Sequence, residues 1–209
     1  MNPTLPPPRA TRERLIEAML DVLPRKGYHG VGLTELLTQA QAPKGVLYHH
    51  FPGGKAELAV AAIEAVVDQL TKGLGQLMAR TNDPADALAA WMEGAQRRLA
   101  GSQYERGCPL ATIALESTPD DVAIRQALAS GFASIRATLA AALATAGMEP
   151  TPARDMAALM VSAYEGALLQ ARVAGQSDSM QHTAQALLPL LRLSLQAAAH
   201  PGQTERDAP

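Results

Sequence analysis

Long tracts of alanine and leucine, broken at intervals by proline and glycine rather than by runs of β-branched residues, restrict the fold of this chain more than any other feature. Alanine and leucine are strong helix formers, whereas strands draw on Val, Ile, Thr and the aromatic residues. Only 3% of the sequence is aromatic although 47% is hydrophobic, so the expected class is all-α. At 209 residues the chain can bury one sizeable core, or set a small domain against a larger one.

Proline and glycine divide the chain into about nine expected helices. The proline-rich opening up to Pro8 and the closing "HPGQTERDAP" are expected to be disordered. A first helix starts near Thr11, carries Leu15, Ile16, Met19, Val22 and Leu23 at helical spacing, and is ended or bent by Pro24 and Gly27. Two short helices follow, almost without a connection. The first runs from an N-cap at Gly32 to about Ala40, with Glu35 placed as a capping-box carboxylate. The second covers about Pro43 to His49, with Pro43 at the first helical position. Beyond Pro52, Gly53 and Gly54 a long helix begins at Lys55. Five more are read over about 84–100, 106–116, 119–146, 151–174 and 178–199, with Asp83 capping the helix that Pro84 opens.

The net charge of -2 is unevenly spread. Residues 1–60 hold seven basic side chains (Arg9, Arg12, Arg14, Arg25, Lys26, Lys44, Lys55) against five acids, net +2, which leaves net -4 for the remainder. Such an asymmetry suggests an anion-facing front end on an acidic body. The single cysteine, Cys108, excludes an internal disulfide and any multi-cysteine zinc site, and fits a reducing compartment, the cytoplasm. The N-terminus lacks the apolar core of a secretory signal, and no apolar run approaches the ~20 residues of a membrane span, so no membrane partner is expected.

The densest chemistry lies in "LYHHFPGGKAEL", residues 47–58. Helical zinc pairs sit at i and i+4, whereas His49 and His50 are adjacent and point about 100° apart, so no metal is expected. A phosphate loop needs G-x-x-x-x-G-K-[ST] after a strand, and here Ala56 follows Lys55. No G-x-S-x-G elbow is present, and Cys108 lacks a placed His or Asn partner, so neither an enzyme nor a cofactor is expected. A helix-turn-helix accounts for more residues together. Its second helix would enter a DNA major groove by the end "APKGVLYHH". Lys44 supplies charge, Gly45 lets the backbone approach, and Val46 offers apolar surface to a thymine methyl. Tyr48, His49 and His50 lie a turn further on, in reach of phosphate, and Lys55 stands at the start of the next helix. Taken singly, Tyr48 and Phe51 also fit ordinary core aromatics and Lys55 a solvated charge.

The stretch "RERLIEAMLDVLPRKGYHGVGLTELLTQAQAPKGVLYHHFPGGKAELAVAAI" resembles the DNA-binding pattern of TetR-type transcriptional repressors. Its bearers are Gly27-Tyr28, the Leu33 and Leu36 pair, and the "LYHHF…K…L" signature. "APKGVLYHHFPGGK" and the later "RGCPLATIALE" are similar to the LmrA/YxaF-like branch. The resemblance implies a three-helix DNA-binding domain over residues 9–54 and a helical regulatory and dimerisation domain over 55–200. It implies base-edge or close backbone contact from Lys44, Gly45 and Val46, phosphate contacts from Thr34, Tyr48, His49 or His50 and Lys55, and a packing role for Phe51. Gly32 departs from the pattern, which has Ser or Thr at that cap.

The resemblance further implies operator DNA, a small-molecule effector that releases it, and a second copy of the chain as partners. The helices over 151–174 and 178–199 are the expected dimer elements, with Met156, Leu159, Met160, Leu168, Leu187, Leu191 and Leu195 at helical spacing. Trp91, Met92, Tyr104, Cys108, Phe132, Met156, Met160 and Tyr164 are the bulky or polarizable residues available to a pocket, and equally to ordinary core. The sequence leaves a cationic and a neutral hydrophobic effector both open, with Glu116 and Glu165 as the acids to test.

Overall fold

The computed structural model describes residues 10–81 and 83–199, so the expectations for the opening up to Pro8 and for the closing ten residues lie outside the described residues. Among the described residues there are nine helices and no strands: α1 Thr11–Lys26, α2 Leu33–Gln39, α3 Lys44–His50, α4 Gly54–Arg80, α5 Pro84–Gly101, α6 Pro109–Glu116, α7 Val122–Thr145, α8 Pro150–Ala174 and α9 Asp178–Ala199. The all-α class and the helix number follow the sequence reading.

Several boundaries differ for local reasons. α1 continues through Pro24, which gives up one backbone hydrogen bond but is buried, and it ends at Gly27 with φ 69°. Pro43 is the N-cap of α3, not its first helical residue. α6 begins at Pro109 and not near 106, because Gln103 and Tyr104 take left-handed backbone (φ 54° and 63°) and Cys108 is extended as the N-cap. The Asp83–Pro84 expectation holds: the Asp83 carboxylate accepts from the Ala85 N–H at 2.8 Å. The capping box at Gly32 does not form, since Glu35 instead pairs with Lys26 at 2.6 Å.

The apolar core runs without a break from Leu15 of α1 to Leu191 of α9. α4 is its spine, packing against α1, α5, α6 and α7. It therefore joins the front helices to the body. α7 lies against α4 and α8; Gly131 allows the approach, since a Cβ there would sit 2.6 Å from Val67. Contrary to the sequence expectation, α7 is long and apolar enough by length and composition to cross a membrane. One face, with Ile124, Leu128, Ile135, Leu139 and Leu143, is nevertheless buried in the core, and Arg125 is exposed on another.

α8 and α9 pack on one another, and this changes the expected dimer contacts. Met156, Met160, Leu168, Leu187 and Leu191 are buried within the subunit. The apolar side chains left exposed are Leu159, Leu169 and Val173 on α8 and Leu190 and Leu193 on α9, with Val173 80% exposed. Periodicity marked apolar faces correctly but could not say which face meets which neighbour.

Candidate nucleic-acid interface

α2 and α3 meet through a four-residue turn, Ala40 to Pro43, built without glycine. The Ala42 N–H donates to the Leu37 carbonyl at 2.9 Å and the Gln41 N–H to that of Thr38 at 3.1 Å, which requires Gln41 to take φ 50°. The Arg14 Nε donates to the Ala40 carbonyl at 3.1 Å, tying α1 to the same turn. Leu36, Leu37 and Leu47 are buried beneath it, and Phe51, 1% exposed, closes the small core with the Arg12 guanidinium 5.2 Å from its ring centroid.

With Leu47 turned inward, the opposite face of α3 presents Lys44, Gly45, Tyr48 and His49 to solvent. These lie at i, i+1, i+4 and i+5, one side of a helix. Tyr48 is 48% exposed, while Val46 and His50 are half-buried on the flanks. Thr34 is exposed in the first turn of α2. A Cβ added at Gly45 would meet nothing within 4 Å, so nothing inside the chain requires a glycine there. Glycine in a helix costs about 0.5–1 kcal/mol against alanine. A glycine on this open face fits the close approach of an outside partner.

Lys55 is placed differently from its sequence expectation. Its ammonium lies 4.5 Å from the centroid of the Tyr28 ring, where partial burial lowers its pKa and the nearby Glu116 carboxylate opposes the shift. Nor are the amides before it free. The Gly53 N–H donates to the Glu57 carboxylate at 2.7 Å and the Gly54 N–H to the Phe51 carbonyl at 2.8 Å. Gly54 has φ 67°, and a Cβ there would press on the Tyr48 ring at 3.3 Å. Gly54 thus leaves room for the Tyr48 ring at the break in the chain.

Behind this face the front helices rest on the body. The His29 N–H donates to Glu116 Oε2 at 3.1 Å, and His29 Nε2 lies 3.3 Å from Asp121. The Thr118 N–H and hydroxyl hold the Asp121 carboxylate at 2.8 and 2.9 Å and, with His29 adding less, depress its pKa. Asp21 of α1 binds Arg106 of the body and the Gln39 amide of α2. A Cβ at Gly27 would overlap the Glu116 carboxylate, with 1.7 Å to Oε1.

Two cavities lie in the body on either side of Glu165. One, of about 150 Å³, is lined by Cys108, Thr112, Glu116, Leu168 and Arg172 among others. The other, of about 30 Å³, lies among Leu88, Trp91, Met160 and Tyr164. The Trp91 and Tyr164 ring centroids are 6.5 Å apart, and the Arg98 guanidinium lies 5.9 Å from the Trp91 ring. Burial, then the Glu165 charge, pushes the Cys108 thiol well up, which keeps it protonated. Of the sequence candidates, Trp91, Met160 and Tyr164 share the smaller cavity and Cys108 borders the larger, while Phe132 and Met156 line neither.

Two family models match the chain: "Bacterial regulatory proteins, tetR family" over residues 15–62 and "Transcriptional regulator LmrA/YxaF-like, C-terminal domain" over residues 84–186. The chain belongs to the TetR family. Among its relatives, the HTH-type transcriptional regulator LmrA of Bacillus subtilis is 25% identical over 87% of this chain and 97% of its own length. The regulator YxaF of the same organism is 27% identical over 76% and 83%. The crystal structure of the regulatory protein TetR from Rhodobacter sphaeroides superposes with a TM-score of 0.75 and 26% identity, covering 86% of this chain and 97% of that one.

A TetR-family chain is a DNA-binding transcriptional regulator and not an enzyme, which agrees with the helix-turn-helix built by α2 and α3. Within this TetR-family chain, Gly32 caps α2 with extended backbone (φ -79°, ψ 143°) and no side-chain bond. Its Cβ direction is open, so a hydroxyl residue would fit. Gln41, the Tyr28 platform under Lys55, and Arg98 and Arg172 beside the cavities were missed in the sequence. Only the Glu165, Leu168, Arg172 series at i, i+3 and i+7 carried a signal for the cavity wall.

Proposed function

We propose that the chain is a repressor that binds an operator as a homodimer in the cytoplasm and is released by a small molecule held in the body. The observation that carries this reading is the solvent-facing side of α3: Lys44, Gly45, Tyr48 and His49 exposed over a buried Leu47. In this reading Lys44, Gly45 and Val46 meet base edges or the groove floor, and Thr34, Tyr48, His49, His50 and Lys55 surround the phosphates. Lys55 reaches phosphate by swinging its four-carbon stem off the Tyr28 ring. Residues 9–54 act as the reading unit and 55–200 as the regulatory and dimerisation unit, with α4 belonging mechanically to both.

The exposed leucines of α8 and α9 support dimerisation through a four-helix bundle formed with the same helices of a second copy. Two recognition helices about 34–36 Å apart would then meet successive major grooves. Glu116 supports the coupling, because it lines the larger cavity and also holds the His29 backbone. An effector that shifts α6 or tilts α4 changes the spacing of the recognition helices. By linkage it must bind less tightly to the operator complex than to free protein.

A transcriptional reporter fused to the DNA just upstream of the chain's own gene tests the reading. Deleting the gene should raise reporter output, and restoring it should lower output again. Unchanged output with and without the protein contradicts repression at that site.

A further inference from the structure

Glu165 Oε2 is enclosed and has no hydrogen-bond partner. An enclosed polar atom left without a partner costs about 1–3 kcal/mol, and more when charged. Nothing in the helix packing calls for an acid at this position of α8, since an apolar or amide side chain of similar volume would fill the same wall. The groups facing it are committed elsewhere or uncharged. The Arg172 Nε donates to the Glu105 carbonyl at 3.2 Å, Arg98 lies over Trp91 and bonds to Tyr164, and the thiol of Cys108 remains protonated. Glu116 gives one oxygen to the His29 N–H. When ionised, the wall of the larger cavity carries Glu116 and Glu165 against Arg172, one negative charge in excess.

We propose that the effector is a compact, mostly apolar molecule with one protonated nitrogen, which enters the cavity beside Cys108 and sets that nitrogen against the Glu165 carboxylate. This inference rests on the effector-responsive reading above. A cavity of about 150 Å³ is the size that holds a benzene ring, so it suits roughly six to ten non-hydrogen atoms. Ala111, Leu168 and Leu169 supply the apolar wall, and the excess of Glu116 and Glu165 over Arg172 favours a cation over an anion. Burial raises the Glu165 carboxyl pKa, with the Cys108 hydrogen bond opposing. Where Glu165 is protonated, taking up the cation releases its proton to solvent, so affinity rises with pH until Glu165 is ionised in the free protein.

Isothermal titration of the full-length protein with benzylamine, benzyl alcohol and benzoate compares a cation, a neutral molecule and an anion of nearly one size. Benzylamine should bind at least tenfold tighter than benzyl alcohol, with benzoate weakest. Glu165→Gln, its folding confirmed by a thermal transition, should bring the benzylamine-to-benzyl alcohol ratio to within threefold of one. Equal affinities in wild type, no binding by any of the three, or an undiminished preference in Glu165→Gln overturns the proposal. Operator affinity followed in parallel separates the two claims. Benzylamine held through Glu165 with operator binding unaltered supports the site and rejects the release scheme. Operator release that persists in Glu165→Gln rejects the site alone.

Discussion

Gly45→Ala separates folding from recognition in a single substitution. The added Cβ meets no atom within 4 Å, and position 45 is an exposed helical residue, so the methyl costs no packing and removes glycine's helix penalty. The expected gain is about 0.5–1 kcal/mol. A gain of that size raises Tm by about 1–4 °C in a chain of this length. On DNA the same methyl would stand between the α3 backbone and the groove. Overpacking a close contact costs about 1–3 kcal/mol, a loss of roughly 5- to 150-fold in operator affinity. Thermal unfolding by circular dichroism and fluorescence anisotropy on labelled operator measure the two effects. A variant that is more stable and binds operator as tightly as wild type would refute the reasoning, because glycine at 45 would then serve neither the fold nor the DNA. A variant that is less stable would refute the premise that the position is open.

Gly27→Ala should destabilise by about 2–4 kcal/mol in urea unfolding, combining a backbone conformation nearly restricted to glycine (φ 69°, ψ -177°) with displacement of Glu116. Adding Glu116→Ala should recover the displacement part and leave about 1–3 kcal/mol of strain; equal costs in both backgrounds would show that Glu116 does not press there. Because burial favours the protonated form of Glu165, its stabilising effect is full below the ordinary glutamate range and is lost as pH rises through the raised pKa. Glu165→Gln should therefore gain about 1 kcal/mol at pH 8 and little at pH 4 by thermal unfolding; a gain that does not change with pH counts against a titrating Glu165. Gly32→Ser should add a few tenths of a kcal/mol through a new N-cap bond and tighten operator binding by a hydroxyl contact, and anisotropy showing unchanged binding would remove the α2 N-terminus from the interface.

The helices were legible because each carries a local signal: apolar spacing in α1, Asp83 with Pro84 before α5, and the Pro43 break between two short leucine-bearing segments. Which side of α3 faces solvent depends in the same local way on Leu47, which turns inward. What escaped the sequence depends on distant partners or on unexpected backbone. Gln41, Gln103 and Tyr104 take left-handed conformations that their side chains do not announce, which hid the turn chemistry before α3 and delayed the start of α6. Lys55 looked free because Tyr28, far away in sequence, supplies its platform. Glu35 looked like a capping residue because Lys26 was out of local view. The buried Met156, Met160 and Leu168 show the same limit, as spacing reveals a face but not what covers it.

The central claim, that α3 reads a specific operator, is tested most directly by anisotropy titration of the full-length protein on the DNA upstream of its own gene and on scrambled DNA, across a salt series. The account predicts preference for the upstream DNA, two protomers per site, affinity falling steeply with salt, and a preference for the upstream DNA that shrinks in Lys44→Ala. Equal affinity for both DNAs, or a preference for the upstream DNA unmoved by Lys44→Ala, would contradict it.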